Sequence, residues 1–338
     1  MRGDLMGMFI GSRNISLDVK DKSSDINFVS HAHSDHTSGV SATKETLSSD
    51  VTSELVAVRK GIKIKSLRSI EGARLLNAGH VLGSKQLYGV SDGGYSFVYS
   101  GDYQLQESLV AERIEITNAD VLIIDSTYPY KDLEFEDKND VITAIQHYLD
   151  MKIMKGTILF GAYALGKAQE LIKIANEAGY TPLVSRKICA VNEVYNIHGA
   201  GLKYISESEG AEFTSEPSDT FIGIVEMNRF AETNALLSKS GKKVFTAVAT
   251  GFANMFHMNT DVQFGLSDHA DFGQATEYID QCSPKVIYTY GNRRNQKEFA
   301  EALSSEGYNA HPYYESDYSI ATEANALAAG PNMNAHKR

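Results

Sequence analysis

The stretch from Phe28 to Val40, FVSHAHSDHTSGV, crowds His31, His33, Asp35 and His36 into six positions directly behind an apolar run. Residues two apart in an extended chain project to the same side, so the rings of His31 and His33 can converge on one point. Asp35 and His36, at what reads as the start of a helix, can face a second point close by. Imidazoles and carboxylates are the ligands zinc takes, and a catalytic zinc keeps one position open for water. The order H-x-H-x-D-H is therefore read as a metal motif, with the rest of its ligands expected from other strand ends.

Two downstream stretches offer such ends. LLNAGHVLGS sets His80 after an apolar pair and before glycines, and FVYSGDY sets Asp102 at the end of a strand that reads as buried. A buried carboxylate is costly unless it meets a cation or a donor. Either residue alone would be an ordinary structural side chain; both together, behind the histidine motif, are read as ligands.

Around these motifs, INFVS, FVYSGD, ADVLIIDSTY and KVIYTYG read as strands. NDVITAIQHYLDMKIM, ALGKAQELIKIANEAG, ADFGQATEYIDQC and QKEFAEALSSEG carry helical periodicity. The class is α/β. There is no G-x-G-x-x-G behind a strand and no G-x-x-x-x-G-K-[ST], so neither a dinucleotide nor a nucleoside-triphosphate site is indicated.

A chain of 338 residues, 42% hydrophobic and 22% charged, has the makings of one large globular domain or two that share a core. No apolar run approaches the ~20 residues of a membrane span, the first residues lack a secretory pattern, and the two cysteines, Cys189 and Cys282, show no pairing pattern. A cytoplasmic protein without a membrane partner is expected. A net charge of −11 excludes general electrostatic binding of a polyanion, which would need local basic patches or bound cations. RKGIKIKSLR (Arg59, Lys60, Lys63, Lys65, Arg68) and GNRRNQK (Arg293, Arg294, Lys297) could serve, although a solvated surface face is the simpler reading of each.

The series HAHSDH, AGHVLGS, YSGDY, IDSTY, ALGKAQEL and SDHADF, between Phe28 and Gly291, resembles in order the motifs of the β-CASP branch of metallo-β-lactamase-fold nucleases. That group holds ribonuclease J, the pre-mRNA 3′-end cleavage subunit and the Artemis-like DNA nucleases; this chain looks like a short prokaryotic-type member. The resemblance implies a four-layer αββα core from residues 1–128 and 264–338, with a β-CASP cap inserted at 129–263. It implies one zinc on His31, His33 and His80, a second on Asp35 and His36, Asp102 bridging the two, and a hydroxide nucleophile between them. It further implies that His269 protonates the leaving oxygen, with Asp125 orienting its ring. Lys167 stands where the family usually has arginine and would bind substrate phosphate, with Ser84 as a further substrate contact.

The sequence departs from the family in VIYTYGN, where Tyr290 takes the place of a histidine that completes the second zinc. A neutral phenol is a poor zinc ligand, so the second metal is expected to be held more weakly. The implied activity is hydrolysis of phosphodiester bonds in nucleic acid, with RNA processing ahead of an Artemis-like DNA exonuclease or repair nuclease. A small-molecule metallo-hydrolase and a non-catalytic nucleic-acid-binding subunit are the rival readings. A homodimer is compatible with these residues and not required by them. His147, His198, His257, His311 and His336 are expected away from the metal site, and the tail from Ala321 is expected to fray.

Overall fold

The computed structural model describes residues 7–128, 130–207, 213, 220–241, 243–253 and 255–313; His336 and the tail from Ala321 lie outside them. Among the described residues the apolar runs become strands of three sheets. The first runs β1-β2-β3-β4-β5, from β1 (Gly7–Ile10), β2 (Arg13–Leu17), β3 (Ile26–Phe28), β4 (Glu45–Leu47) and β5 (Lys65–Leu67). The second runs β17-β16-β9-β8-β7-β6, from β6 (Ala73–Asn77), β7 (Lys85–Val90), β8 (Ser96–Tyr99), β9 (Val121–Asp125), β16 (Val286–Tyr290) and β17 (Ala310–Pro312).

These two sheets face each other across Ile15, Leu17, Phe28 and Leu47 on one side and Leu87, Phe97, Tyr99, Val121, Ile123 and Tyr288 on the other. Side chains alternate along a strand. Val98, Leu122, Ile124 and Ile287 therefore point the opposite way, onto Tyr278 and Ile279 of α6 (Phe272–Cys282) and Phe299 and Leu303 of α7 (Arg293–Ser305). That double burial explains why VLIID of β9 reads as one continuous apolar run. On the far face of the first sheet, α1 (Asp50–Lys60) crosses between the parallel β4 and β5. Ser49 caps it by accepting from the Thr52 N–H at 3.0 Å, and Gly61 ends it at φ 67°, a left-handed turn that a side chain would strain. The order helix, sheet, sheet, helix is the expected αββα sandwich.

The third sheet comes wholly from residues 157–264 and is parallel throughout, ordered β12-β11-β13-β10-β14-β15. Its strands are β10 (Thr157–Ala162), β11 (Leu183–Val184), β12 (Ile205–Ser206), β13 (Ile222–Glu226), β14 (Val244–Ala249) and β15 (Val262–Phe264). It is wrapped by α2 (Lys138–Ile153), α3 (Lys167–Glu177), α4 (Arg186–Ile197) and α5 (Met227–Lys239). Leu55 and Val56 of α1 share a core with Ile188, Val191, Val194 and Tyr195 of α4, so this unit is docked on the sandwich through apolar burial. A fully buried side chain of this size contributes about 1.5–3 kcal/mol. No helix among the described residues is long and apolar enough to cross a membrane. Cys189 and Cys282 are free and buried.

Strand direction positions the site. β2 runs parallel to β3 in the first sheet, β8, β9 and β16 run parallel to one another in the second, and β6 shares the direction of β8 because both are antiparallel to β7. Asp18, the histidine loop, His80, Asp102, Asp125 and Tyr290 all follow or close the carboxyl ends of these strands, the edge where open α/β sheets bind ligands.

Candidate metal centre

Behind β3 the chain bends at His31 and Ala32 and then turns over residues 34–39, so a bend, not the extended chain expected, brings the two rings together. No helix begins at Asp35; Thr37 Oγ1 bonds back to the carbonyls of His33 and Ser34 at 2.9 and 3.2 Å and closes the loop instead. His31 Nε2 lies 2.9 Å from His33 Nδ1, which lies 3.1 Å from His80 Nε2. Asp102 Oδ2 stands 3.5 Å from His31 Nε2 and 3.8 Å from His80 Nε2. Four donor atoms of this kind, all within 4.8 Å of one another, have edges close to the ~3.3 Å expected of a tetrahedral zinc with bonds of ~2.0–2.1 Å. The other oxygen of Asp102, Oδ1, lies 3.2 Å from His36 Nε2, itself 3.6 Å from Asp35 Oδ2. Asp102 thus turns one oxygen to each group.

The outward nitrogens decide what the inward ones carry. His33 Nε2–H donates to the Leu165 carbonyl at 3.2 Å and His80 Nδ1–H to the Asp268 carbonyl at 2.6 Å. His31 Nδ1 meets Ser30 Oγ at 2.9 Å, whose own hydroxyl proton goes to Asp18 at 2.5 Å. The three inward nitrogens therefore face one another with lone pairs, a repulsive arrangement unless a cation stands between them. Burial lowers the pKa of all three, that of His80 to about 3 with His269 adding to the effect, so the rings are neutral as metal ligation requires. His36 is held the other way: burial opposes its charge, but Asp102 and Asp18 raise it well above the ordinary range. The residues present fit a metal-binding cluster.

Asp18 was not foreseen. It is buried at the end of β2 and accepts from the Ser30 N–H at 2.7 Å, His36 Nδ1 at 2.8 Å and the Tyr99 hydroxyl at 2.9 Å, fixing how His36 points. The signal was in the sequence, since ISLD ends a strand on a carboxylate just as FVYSGD does.

Across the cluster, His269 Nδ1 meets Asp125 Oδ2 at 3.1 Å, and its Nε2 lies 3.9 Å from Asp102 Oδ2. Burial disfavours its charged form, yet Asp102, Asp125 and Asp268 raise its pKa to about 9. Asp125 in turn takes the N–H and hydroxyl of Thr127 at 3.0 and 2.8 Å. Lys167, first residue of α3 and 2% exposed, pairs with Asp268 at 2.8 Å. Burial would raise the Asp268 carboxyl, but Lys167, His80 and His269 hold it far below its ordinary value.

These groups line one cavity of about 1240 Å³ between the sandwich and the third sheet, with Lys167, Arg59 and Arg293 on its walls. Ser84 is not among its lining residues. Its hydroxyl accepts from the Val81 N–H at 3.2 Å beneath the His80 loop, so the expected substrate contact gives way to a part in shaping that loop. Of the basic stretches, Arg59 and Lys60 donate to the carbonyls of Ala32 and Thr37, while Lys65, Arg68 and Arg294 pair with surface acids. His198 bonds Glu54 and His311 bonds Asn309, both away from the cluster.

No family model matches the chain. A probable DNA ligase of Opitutus terrae is 26% identical over 299 residues, covering 84% of this chain and 28% of the ligase. Endoribonuclease YSH1 of Candida albicans is 26% identical over 309 residues, covering 72% of this chain and 35% of that protein. This chain thus spans about a third or less of the length of these relatives. A protein of unknown function from Enterococcus faecalis shares the fold at a TM-score of 0.59 and 13% identity, over 83% of this chain and 78% of the other. An αββα sandwich whose strand ends gather histidines and a shared aspartate in this way belongs to the metallo-β-lactamase fold. Within that fold, the relatives it matches fit a short member of the β-CASP branch.

Proposed function

We propose that this protein is a zinc-dependent nuclease that hydrolyses phosphodiester bonds of nucleic acid in the cytoplasm, with RNA processing as the first reading. In it His31, His33 and His80 would hold one zinc, Asp35 and His36, the latter on giving up its proton, a second, and Asp102 would offer an oxygen to each. Residues 1–128 and 264–338 form the core and 129–263 the inserted cap, and the reading does not require a homodimer. The observation that carries it is Asp102, which gives one oxygen to each group of donors in a cavity of about 1240 Å³. When bound, zinc would supply an acidified water and positive charge opposite the phosphoryl oxygens.

The chain's own residues do the rest. The cavity wall carries Asp18, Asp35, Asp102, Asp125 and Asp268, so a phosphodiester approaches only where cations offset them; Arg59, Lys167 and Arg293 supply fixed ones. Lys167 is a point charge and not a fork, so it attracts a phosphate without orienting it. His269, kept protonated by its carboxylates, holds its Nδ1–H on Asp125 and presents Nε2–H toward the cluster, the position from which a leaving oxygen takes a proton. Tyr290, at the end of β16, stays a neutral phenol: burial, Tyr99, Asp102, Asp125 and Asp18 all raise its pKa. It would add no charge to the second metal, which would therefore be held more weakly than the first.

The relative named an endoribonuclease supports RNA as substrate. The second reading, a DNA exonuclease or repair nuclease, is favoured by the DNA ligase, against which most of this chain aligns. A time course on end-labelled single-stranded RNA and DNA with added zinc, native protein beside Asp35→Ala, tests both. Cleavage of RNA that Asp35→Ala loses is expected; cleavage of DNA alone would transfer the function to the second reading, and cleavage of neither would end both.

A further inference from the structure

A smaller cavity of about 300 Å³ opens from the main one, sharing Thr127, Phe252, Gly291 and Asn292 with it and walled further by Tyr130, Met255, Phe256 and Asn295. None of the described residues lining it is charged. With no charged side chain the recess offers a phosphate no side-chain counter-charge, and its mixture of aromatic rings with amide and hydroxyl groups suits a flat, neutral group that carries both π-faces and hydrogen-bonding edges.

Its position in the site narrows the occupant. Thr127 is bonded to Asp125, which holds His269. The Tyr128 ring lies 5.8 Å from His269 and 4.8 Å from Phe252, and Phe252 lies 5.8 Å from Phe256. A row of rings therefore leads from the proton-donating histidine out to Phe256, which is 59% exposed and so presents a face to whatever enters. The polar side is shaped by α7: Asn292 accepts from the Asn295 N–H at 3.0 Å and Asn295 donates to the Thr127 carbonyl at 3.1 Å.

We infer that this recess is a nucleobase subsite, taking by stacking on Phe252 and Phe256 the base of the nucleotide on the leaving-group side of the scissile phosphate. The inference rests on the nuclease reading above and adds to it a specificity-determining contact. Stacking on an aromatic side chain is tolerant of sequence, since every base has a π-face. The subsite thus favours nucleic acid over small esters without selecting one base.

The test compares equilibrium binding of two probes, a single-stranded oligothymidylate and an abasic deoxyribose-phosphate strand of the same length, to the native protein and to Phe256→Ala and Phe256→Tyr. Native protein is expected to prefer the oligothymidylate, Phe256→Ala to lose roughly ten-fold of that preference, and Phe256→Tyr to regain it. The abasic strand, having no base to place, should bind Phe256→Ala and native protein alike. An unchanged preference in Phe256→Ala, or equal weakening of both probes, overturns the subsite. Turnover of bis(p-nitrophenyl) phosphate by the zinc-loaded native protein is measured separately, and its absence would count against the nuclease reading, not against the base contact.

Discussion

Lys167 and Asp268 meet at 2.8 Å across the seam between the third sheet and the sandwich, with side chains 2% and 14% exposed. Breaking a pair this buried by removing one partner is costly whatever the pair itself contributes, because it strands the other's charge in a poor solvent. Asp268→Asn is expected to destabilise the protein by about 3 kcal/mol, and Lys167→Met with Asp268→Asn by clearly less than the sum of the single changes. Urea unfolding of the two single variants and the double variant measures the coupling; additive losses would show that the contact carries no energy.

Metal removal should act on stability as well as on activity. The facing lone pairs of His31, His33 and His80 repel without a cation, so chelation is expected to lower the melting temperature and zinc to restore it, by about 2.7 kcal/mol at a hundredfold excess over its dissociation constant. After dialysis, metal analysis should find one zinc per chain retained and a second lost. Tyr290→His, which exchanges a neutral phenol for an imidazole, should retain both. Two equally tight zincs in the native protein would contradict the role given to Tyr290.

His31, His33, Asp35 and His36 stand together in the sequence, and His80 and Asp102 could be added because each follows an apolar run that reads as a strand. The α/β class was legible for the same reason, since VLIID reads as a strand buried on both faces, whereas the αββα layering followed only from the resemblance of the motif series. Less could be read where the chain supplies backbone and not side chains. The Leu165 and Asp268 carbonyls that fix the rings of His33 and His80 carry no residue signature. Asp35 resembled a helix start because Ser-Asp-His-Thr has capping residues, but a cap needs an apolar face behind it, and Ser38 and Gly39 provide none. Ser84 sat beside His80 in sequence, and its hydroxyl was drawn into the turn and not toward the cavity.

If His269 donates a proton to the leaving oxygen, its loss should matter in proportion to how badly that oxygen needs one. His269→Ala is expected to lower kcat on an oligonucleotide by about 10²–10⁴-fold, and on bis(p-nitrophenyl) phosphate, whose phenolate leaves unaided, by far less. Asp125→Asn should follow the same pattern more mildly, since it orients the ring at 3.1 Å without touching substrate. Equal losses on both substrates would assign His269 to metal holding or folding.

Asp120, just before β9, ties three strands of the second sheet together at the end away from the metal cluster. It accepts from Ser96 N and Oγ at 2.9 and 2.7 Å at the start of β8, and pairs with Lys285 at 2.8 Å just before β16. The hydrogen bond from Lys285 outweighs the modest burial and, with Ser96, lowers its pKa to about 2. A carboxylate whose folded pKa lies below its unfolded one stabilises the fold fully above the unfolded value, near 4, and loses that contribution as pH falls toward about 2. Asp120→Ala is therefore expected to cost about 1 kcal/mol at pH 7, kept small because Lys285 is half exposed to screening solvent. The gap between native and variant should close as unfolding is followed from pH 5 down toward pH 2. A gap that stays constant over that range would mean that the charge of Asp120 contributes nothing to holding β8, β9 and β16 together.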